Sequence, residues 1–303
     1  MLIATLPPVH QEEVLNFLIS NPSVGAVRYN TGADSPYSPR ETLEKIVKLT
    51  SRYKKPLYVD LKGRQLRIVE WATFPYGPIV LNHKIKVELP AQVYFRGDDV
   101  CNIKEVIDGN KLYVEPFPKY PVGRGQSVNI ISHKLEIEGY LIENDREYAS
   151  AACELGINKF MLSFVESMDD VIEFEEFLKR SLSLEIVLKI ESQKGIDFVK
   201  SSKAKTFNYY RLMAARDDLV IQIGLFKAME ASKIIVEKDD EAICASRLLM
   251  GLEQGAVSMS DLSDLEFMRG MGYRHFMLSD GLSRNHGKEA IKFWEEYSKK
   301  FKV

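Results

Sequence analysis

Three cysteines among 303 residues, Cys101, Cys153 and Cys244, are odd in number and far apart. They suggest neither a disulfide framework nor a zinc site. Histidine is scarce as well. His10, His83, His133, His275 and His286 share no metal-ligand spacing, so packing and surface roles are expected of them, with His275 a satisfied core group inside a strand. Of the two tryptophans, Trp71 and Trp294 are expected to pack in an inserted segment and on the final helix. No apolar run approaches the roughly 20 residues that cross a bilayer. The N-terminal MLIATLPPVHQEEV meets prolines and acids too early for a signal peptide. An excess of one charge is missing too: 41 Lys+Arg stand against 43 Asp+Glu, for a net charge of −2. Phosphate-backbone binding needs a clustered cationic excess. The expectation is a soluble cytoplasmic protein with neither nucleic acid nor membrane as partner. What the sequence has in quantity is apolar surface, 45% hydrophobic residues, which excludes disorder and is enough for a large core.

The apolar residues fall into a repeating pattern of a short β-rich run followed by a helical stretch. The runs are LIATLP (2–7), GAVRYNT (25–31), PLYVDLKG (56–63), KFMLSF (159–164), EIVLKIES (185–192), NYYRLMAA (208–215), AICAS (242–246) and HFMLS (275–279). Their continuous apolar character is that of strands buried on both faces of a parallel sheet. Ser38-Pro39-Arg40-Glu41 and Ser167-Met168-Asp169-Asp170 read as helix starts, and further helical stretches cover 144–156, 226–238, 260–272 and 287–300. Eight such units are what a (β/α)8 TIM barrel requires. A doubly wound open sheet is the alternative, but no Gly-x-Gly-x-x-Gly turn follows the first run. Residues 68–138 break the pattern. They hold IVLNHKIKVEL, AQVYF, NIKEVI, KLYVEP and SVNIIS, with turn signals at Gly97-Asp98-Asp99 and Asp108-Gly109-Asn110. This reads as a small inserted all-β domain, either a lid over the barrel mouth or a structural outgrowth. The barrel then comprises 1–67 and 139–303.

Polar residues gather at the C-terminal ends of the apolar runs, where a parallel barrel builds its active site. Arg28 and Asn30 end the second run, Asp60 and Lys62 the third, Lys189 and Glu191 the fifth. Asp217 and Asp218 follow the sixth, and Ser246 and Ser279 end the seventh and eighth. Strand alternation puts Lys189 with Glu191, Arg28 with Asn30, and Asp60 with Lys62 on common sides. One reading is an ion-pair network that closes the barrel top, since buried charges need partners. The other is a site in which a carboxylate pair holds a divalent cation while Lys and Arg bind an anionic, oxygen-rich substrate.

At these residues the sequence resembles the pyruvate kinase family, in the family's own order. LIATLPP looks like its opening strand, VRYN is similar to Val-Ala-Arg-Leu-Asn, and VDLKGRQLR to Asp-Thr-Lys-Gly-Pro-Glu-Ile-Arg. IENDREYASAACELGINKFMLSFVESMDDV follows the stretch that ends Ser-Phe-Val-Arg-Ser-x-x-Asp-Val. LKIESQKGI, MAARDDLVIQI, AICASRLL and MLSDGLS resemble its later strand ends. The resemblance implies a TIM barrel of the phosphoenolpyruvate/pyruvate-binding type with a trimmed lid, ending where the family continues into a regulatory domain. It implies phosphoryl transfer between phosphoenolpyruvate and ADP, giving pyruvate and ATP. Carried over by position, Lys189, Arg28 and Ser246 are the catalytic residues. Glu191 and Asp218 hold Mg2+ (or Mn2+), and Asn30 and Asp60 are potassium ligands. Asp217, Ser163, Lys62 and Ser279 complete the substrate-binding set. The implied partners are the small molecules phosphoenolpyruvate or pyruvate and ADP or ATP, and the barrel leaves a homo-oligomer open.

Some positions depart from the family. Thr31-Gly32-Ala33 stand for Phe-Ser-His, which removes a potassium-ligating serine, and Gln65 stands for a Glu of potassium-dependent members. Glu166 replaces an arginine, Asp217 a glycine, and Asp280-Gly281-Leu282 replace Gly-Glu-Thr. A carboxylate at 217 repels an anionic substrate unless it turns away or joins the metal shell. These changes keep two alternatives in view: a metal-dependent lyase or aldolase acting on pyruvate or a related 2-oxoacid, and a catalytically silent homologue that binds or regulates.

Overall fold

The computed structural model describes residues 1–33, 35–72, 77–95, 99–132, 134–179 and 183–301. In chain order the elements are β1 (Leu2–Thr5), α1 (Glu12–Ser20), β2 (Val24–Asn30), α2 (Pro39–Arg52) and β3 (Leu57–Leu61). Seven short strands follow: β4 (Ile79–Val80), β5 (Ile85–Lys86), β6 (Ala91–Phe95), β7 (Asp99–Ile107), β8 (Lys111–Glu115), β9 (Val128–Ile131) and β10 (Glu136–Ile137). Next come α3 (Glu143–Glu154), β11 (Lys159–Leu162), α4 (Met168–Phe177), β12 (Glu185–Ile190), α5 (Gln193–Ser201), β13 (Tyr210–Ala215) and α6 (Arg216–Ile223). The chain closes with α7 (Leu225–Lys238), β14 (Ile243–Ala245), α8 (Met259–Met271), β15 (His275–Met277) and α9 (Asp280–Phe301). Two compact units result, Met1–Leu61 with Asn144–Val303, and Lys62–Glu143.

In the first unit eight parallel strands close in the order β1-β15-β14-β13-β12-β11-β3-β2. Closure excludes the open-sheet alternative and leaves no sheet edge unpaired. Each barrel strand coincides with one of the eight apolar runs. The interior is packed by Ile3, Ala26, Tyr58, Met161, Val187 and Met213, among others. Inward positions recur every second residue, so Arg28, Asp60, Ser163 and Lys189 follow Ala26, Tyr58, Met161 and Val187 one layer nearer the strands' C-terminal ends.

The expected helix starts are realised by their caps. The Ser38 hydroxyl accepts from the Glu41 N–H at 3.3 Å, and the Glu41 carboxylate accepts from the Ser38 N–H at 3.0 Å. Asp170 accepts from the N–H groups of Glu166 and Ser167 at 2.8 and 3.1 Å. Three helices, α1, α5 and α6, lie outside the helical stretches read from the sequence. No side chain caps α1. α5 is capped by Ser192, whose hydroxyl accepts from the Gly195 N–H at 3.1 Å, and α6 begins directly on the last residue of β13 without a loop.

The second unit is an antiparallel five-stranded sheet in the order β4-β8-β7-β6-β9, with a separate β10–β5 pair, around a core that includes Ile79, Val93, Phe95, Cys101 and Ile130. The run IVLNHKIKVEL is two strands rather than one. Asn82 turns its side chain onto the Arg67 N–H and the Gln65 carbonyl, at 2.8 and 3.1 Å. His83 is buried between the carbonyls of Gly63 and Glu138, at 2.8 and 3.1 Å. Side chains that bond backbone compete with the ladder and end it there. Asp108 and Gly109 turn the β7–β8 hairpin with φ of +54° and +81°, the left-handed pair such a turn needs. Gly97 and Asp98 of the other expected turn lie outside the described residues, as does His133, and Asp99 begins β7. Trp294 is buried against Phe276, ring centroids 5.7 Å apart. Trp71, expected to pack, is exposed. His275 pairs through Nε2 with Glu241 at 2.8 Å, while its Nδ1 is buried without a partner. Among the described residues no helix is long and apolar enough to cross a membrane.

Candidate active site

Asp60, wholly buried at the end of β3, is the hub of the strand-end cluster. Its Oδ2 accepts from Nε of Arg28 at 2.7 Å and from the Nη2 of the same guanidinium. Lys189 Nζ reaches Oδ1 at 3.4 Å, and the Ser163 hydroxyl donates to the same atom at 3.2 Å. Lys189 also donates to Ser163 Oγ at 2.8 Å and pairs with Glu191 Oε1 at 3.2 Å. The other Glu191 oxygen accepts from the Phe164 N–H at 2.7 Å. Burial works against the Lys189 charge, yet Asp60 and Glu191, with Asp218 behind them, more than offset it and push the pKa up. Burial works the same way on Arg28, and Asp280 and Asp60 reverse it. Both cations are therefore permanently charged, and two buried positive charges converge on the barrel mouth.

Asp217 and Asp218 open α6, where the helix dipole favours carboxylates. Asp217 is half-exposed and pairs with Arg247 at 3.0 Å, so its charge is matched locally. Ser246 directly follows β14 in the left-handed region, φ +65°, with Arg247 at +55° and Leu249 at +53° after it. The buried Arg216 fixes this turn. It donates to the Ser246 carbonyl through Nε and Nη2 at 3.2 and 2.8 Å, and grips Asp264 of α8 with both Nη groups at 2.6 and 2.8 Å. Backbone strain of this kind persists only where surrounding contacts impose it, and it concentrates at functional sites.

Among the described residues no group of three or more His, Cys, Asp or Glu could by itself hold a metal ion. The donor set nonetheless suits a hard cation that takes few protein ligands. Glu191 and Asp218 supply two carboxylates, both acting on Lys189, and Mg2+ characteristically accepts one or two carboxylates and completes its shell with water and substrate oxygens.

Asn30 and Asp280 form the rim. Asn30 Nδ2 donates to Asp280 Oδ1 at 2.9 Å, and Arg28 Nη1 donates to Asp280 Oδ2 at 2.7 Å and to Thr5 Oγ1 at 3.2 Å. Asp280 also lines a cleft of about 680 Å³, together with Pro7, His10, Ala33 and Arg284. Ser279 receives the Leu282 N–H at 3.3 Å and acts as a turn residue at the start of α9. Lys62 is buried but opens the second unit and belongs with it. Thus Arg28, Asn30, Asp60, Ser163, Lys189 and Glu191 are brought into one network, with Asp218 acting on it. Asp217 stands in the first turn of α6, Ser246 just after β14, and Ser279 just before α9. Thr5, Phe164 N–H and Asp280 were not read as site groups. Thr5 was accessible by alternation from Ile3, whereas the other two depend on the closed barrel.

A closed parallel barrel with paired charges at the C-terminal strand ends is the architecture on which TIM-barrel enzymes build active sites. Within that class the comparisons are specific. A sequence model described as "Pyruvate kinase, barrel domain" matches residues 80–264. The chain belongs to the pyruvate kinase family. It is 24% identical to a pyruvate kinase of Thermoplasma acidophilum over 292 residues, covering 87% of this chain and 51% of that protein. It is 23% identical to one of Clostridium perfringens over 269 residues, covering 80% and 56%, and 25% identical to one of Thermotoga maritima over 244 residues, covering 71% and 50%. The chain spans about half the length of the curated relatives it matches.

Proposed function

We propose that the chain catalyses divalent-cation-dependent phosphoryl transfer from phosphoenolpyruvate to ADP. The phosphoryl group leaves the enol oxygen for the terminal phosphate oxygen of ADP, a proton goes to the enol carbon, and pyruvate and ATP result. The observation that carries this reading is the buried Lys189 ammonium, fixed among Asp60, Glu191 and Ser163. In such a transfer the protein mainly supplies preorganised charge at the migrating group. Lys189 is that charge, and Arg28 holds the substrate's anionic end. Ser246 offers its hydroxyl to the substrate from its fixed turn, with Ser163 orienting Lys189. Glu191 and Asp218 would hold Mg2+ or Mn2+, which supplies Lewis-acid stabilisation of substrate oxygens when bound. Asn30 and Asp60, the potassium ligands of the family reading, are already engaged by Asp280, Arg28, Lys189 and Ser163, so the divalent site is proposed as the essential one. The unit Lys62–Glu143 enters the chain directly after β3.

The test is pyruvate release from phosphoenolpyruvate, with ADP and Mg2+ each supplied or withheld, for wild type, Lys189→Gln and Glu191→Gln. Release is expected to need both additions, and each variant to fall by about 10²- to 10³-fold, the usual loss of a preorganised charge. Thermal melts confirm that the variants fold. Release without ADP would mean that the phosphoryl group goes to water and would contradict the kinase reading, and saturable binding without turnover would favour the silent homologue. Full activity in Lys189→Gln would remove Lys189 from its assigned role.

A further inference from the structure

We infer that Asp280 is a built-in competitor for the anion site, a specificity-determining residue that occupies the donors an oxyanion ligand would use. This inference rests on the reading of Arg28 as an anion-binding group. The geometry is direct. One oxygen of Asp280 accepts from Arg28 Nη1 at 2.7 Å and the other from Asn30 Nδ2 at 2.9 Å. Arg28 turns Nε and Nη2 inward to Asp60, so its Nη1 corner, shared between Thr5 and Asp280, is the one directed to the rim. The two carboxylates on Arg28 differ in freedom. The Asp60 side chain is wholly buried, whereas that of Asp280 is 54% exposed. Asp280 starts α9 and lines the 680 Å³ cleft, so it has open space into which to withdraw when an anion arrives.

Charge balance gives the contact its consequence. Arg28 and Lys189 are already paired with Asp60, Glu191 and Asp280, with Asp218 acting on Lys189, so a free oxyanion must compete with carboxylates for both cations. At the Nη1 corner of Arg28 an anionic ligand binds by displacing Asp280. It does so best when it brings a divalent cation that answers Glu191 and Asp218. Selection against anions that arrive alone is thus written into one half-exposed carboxylate.

The experiment measures binding of inorganic phosphate and of phosphoenolpyruvate to the full chain by calorimetry, with and without Mg2+, for wild type, Asp280→Asn and Arg28→Lys. Asp280→Asn removes the charge and keeps the shape at an exposed position. It is expected to bind metal-free phosphate about tenfold more tightly, as releasing a charge-assisted contact should, and to narrow the gain that Mg2+ gives. Arg28→Lys keeps the charge beside Asp60 and is expected to weaken both ligands. Unchanged affinities in Asp280→Asn while Arg28→Lys weakens binding would overturn the inference and leave the Arg28 reading standing. Affinities indifferent to both substitutions, or no anion binding to any of the three proteins, would overturn both. If Arg28→Lys fails to fold, Asp280→Asn decides alone, with Asp280→Ala expected to match it.

Discussion

Lys189 is held at the barrel mouth as a fixed ammonium, not as a titrating base. Burial lowers its pKa, and Asp60 and Glu191 raise it further than burial lowers it. The folded-state pKa therefore lies above the unfolded one. Its contribution to stability is complete below the ordinary lysine range and is lost only as pH climbs through the raised value. The turnover rate should accordingly show no ionisation of Lys189 between about pH 6 and pH 9. A loss of turnover in that interval that Lys189→Arg abolishes would contradict the assignment. Burial acts on Cys244 in the opposite sense, pushing its thiol up to about 12, so it is a packing group near Arg216 and not a nucleophile.

The turns that carry these side chains are fixed by contacts from neighbouring helices. Gly195, in the first turn of α5, lets the helix approach the segment after β11 closely. A Cβ at that position would lie 2.8 Å from the Val165 carbonyl oxygen and 3.3 Å from Ile190. That segment includes Phe164, in the left-handed region at φ +51°, whose N–H holds Glu191. Gly195→Ala should therefore cost about 1–3 kcal/mol of stability, as overpacking does, measured by urea denaturation. It should lower activity by displacing Glu191. A variant of unchanged stability would show that this approach is looser than described. The eight barrel strands could be read because strands buried on both faces are continuously apolar, and α2 because Ser38, Pro39 and Glu41 signal its start. α6 could not, since it leaves β13 with no intervening turn residue, and IVLNHKIKVEL read as one strand because nothing local announces that Asn82 and His83 bond backbone instead of extending the ladder.

In the whole chain the barrel brings together groups that the sequence keeps far apart. Arg28 and Asp60 are 32 positions apart, Lys189 and Asp60 129, and Arg28 and Asp280 252. Strand alternation and the family resemblance reached Arg28, Asp60, Lys189 and Glu191, because they stand at the ends of three apolar runs. The engagement of Asp280 with Arg28 could not be read, since it exists only where the loop after β15 closes beside β2. The remaining question is whether this constellation moves phosphoryl groups. The most direct answer is a 31P NMR time course of phosphoenolpyruvate with ADP and Mg2+ in the presence of the full chain, run beside Lys189→Gln. The account predicts that the phosphoenolpyruvate resonance declines as the γ-phosphate resonance of ATP grows in step, at a rate reduced by about 10²-fold or more in Lys189→Gln. Conversion to inorganic phosphate without ATP, or no change over many hours in a folded and anion-binding protein, would contradict it.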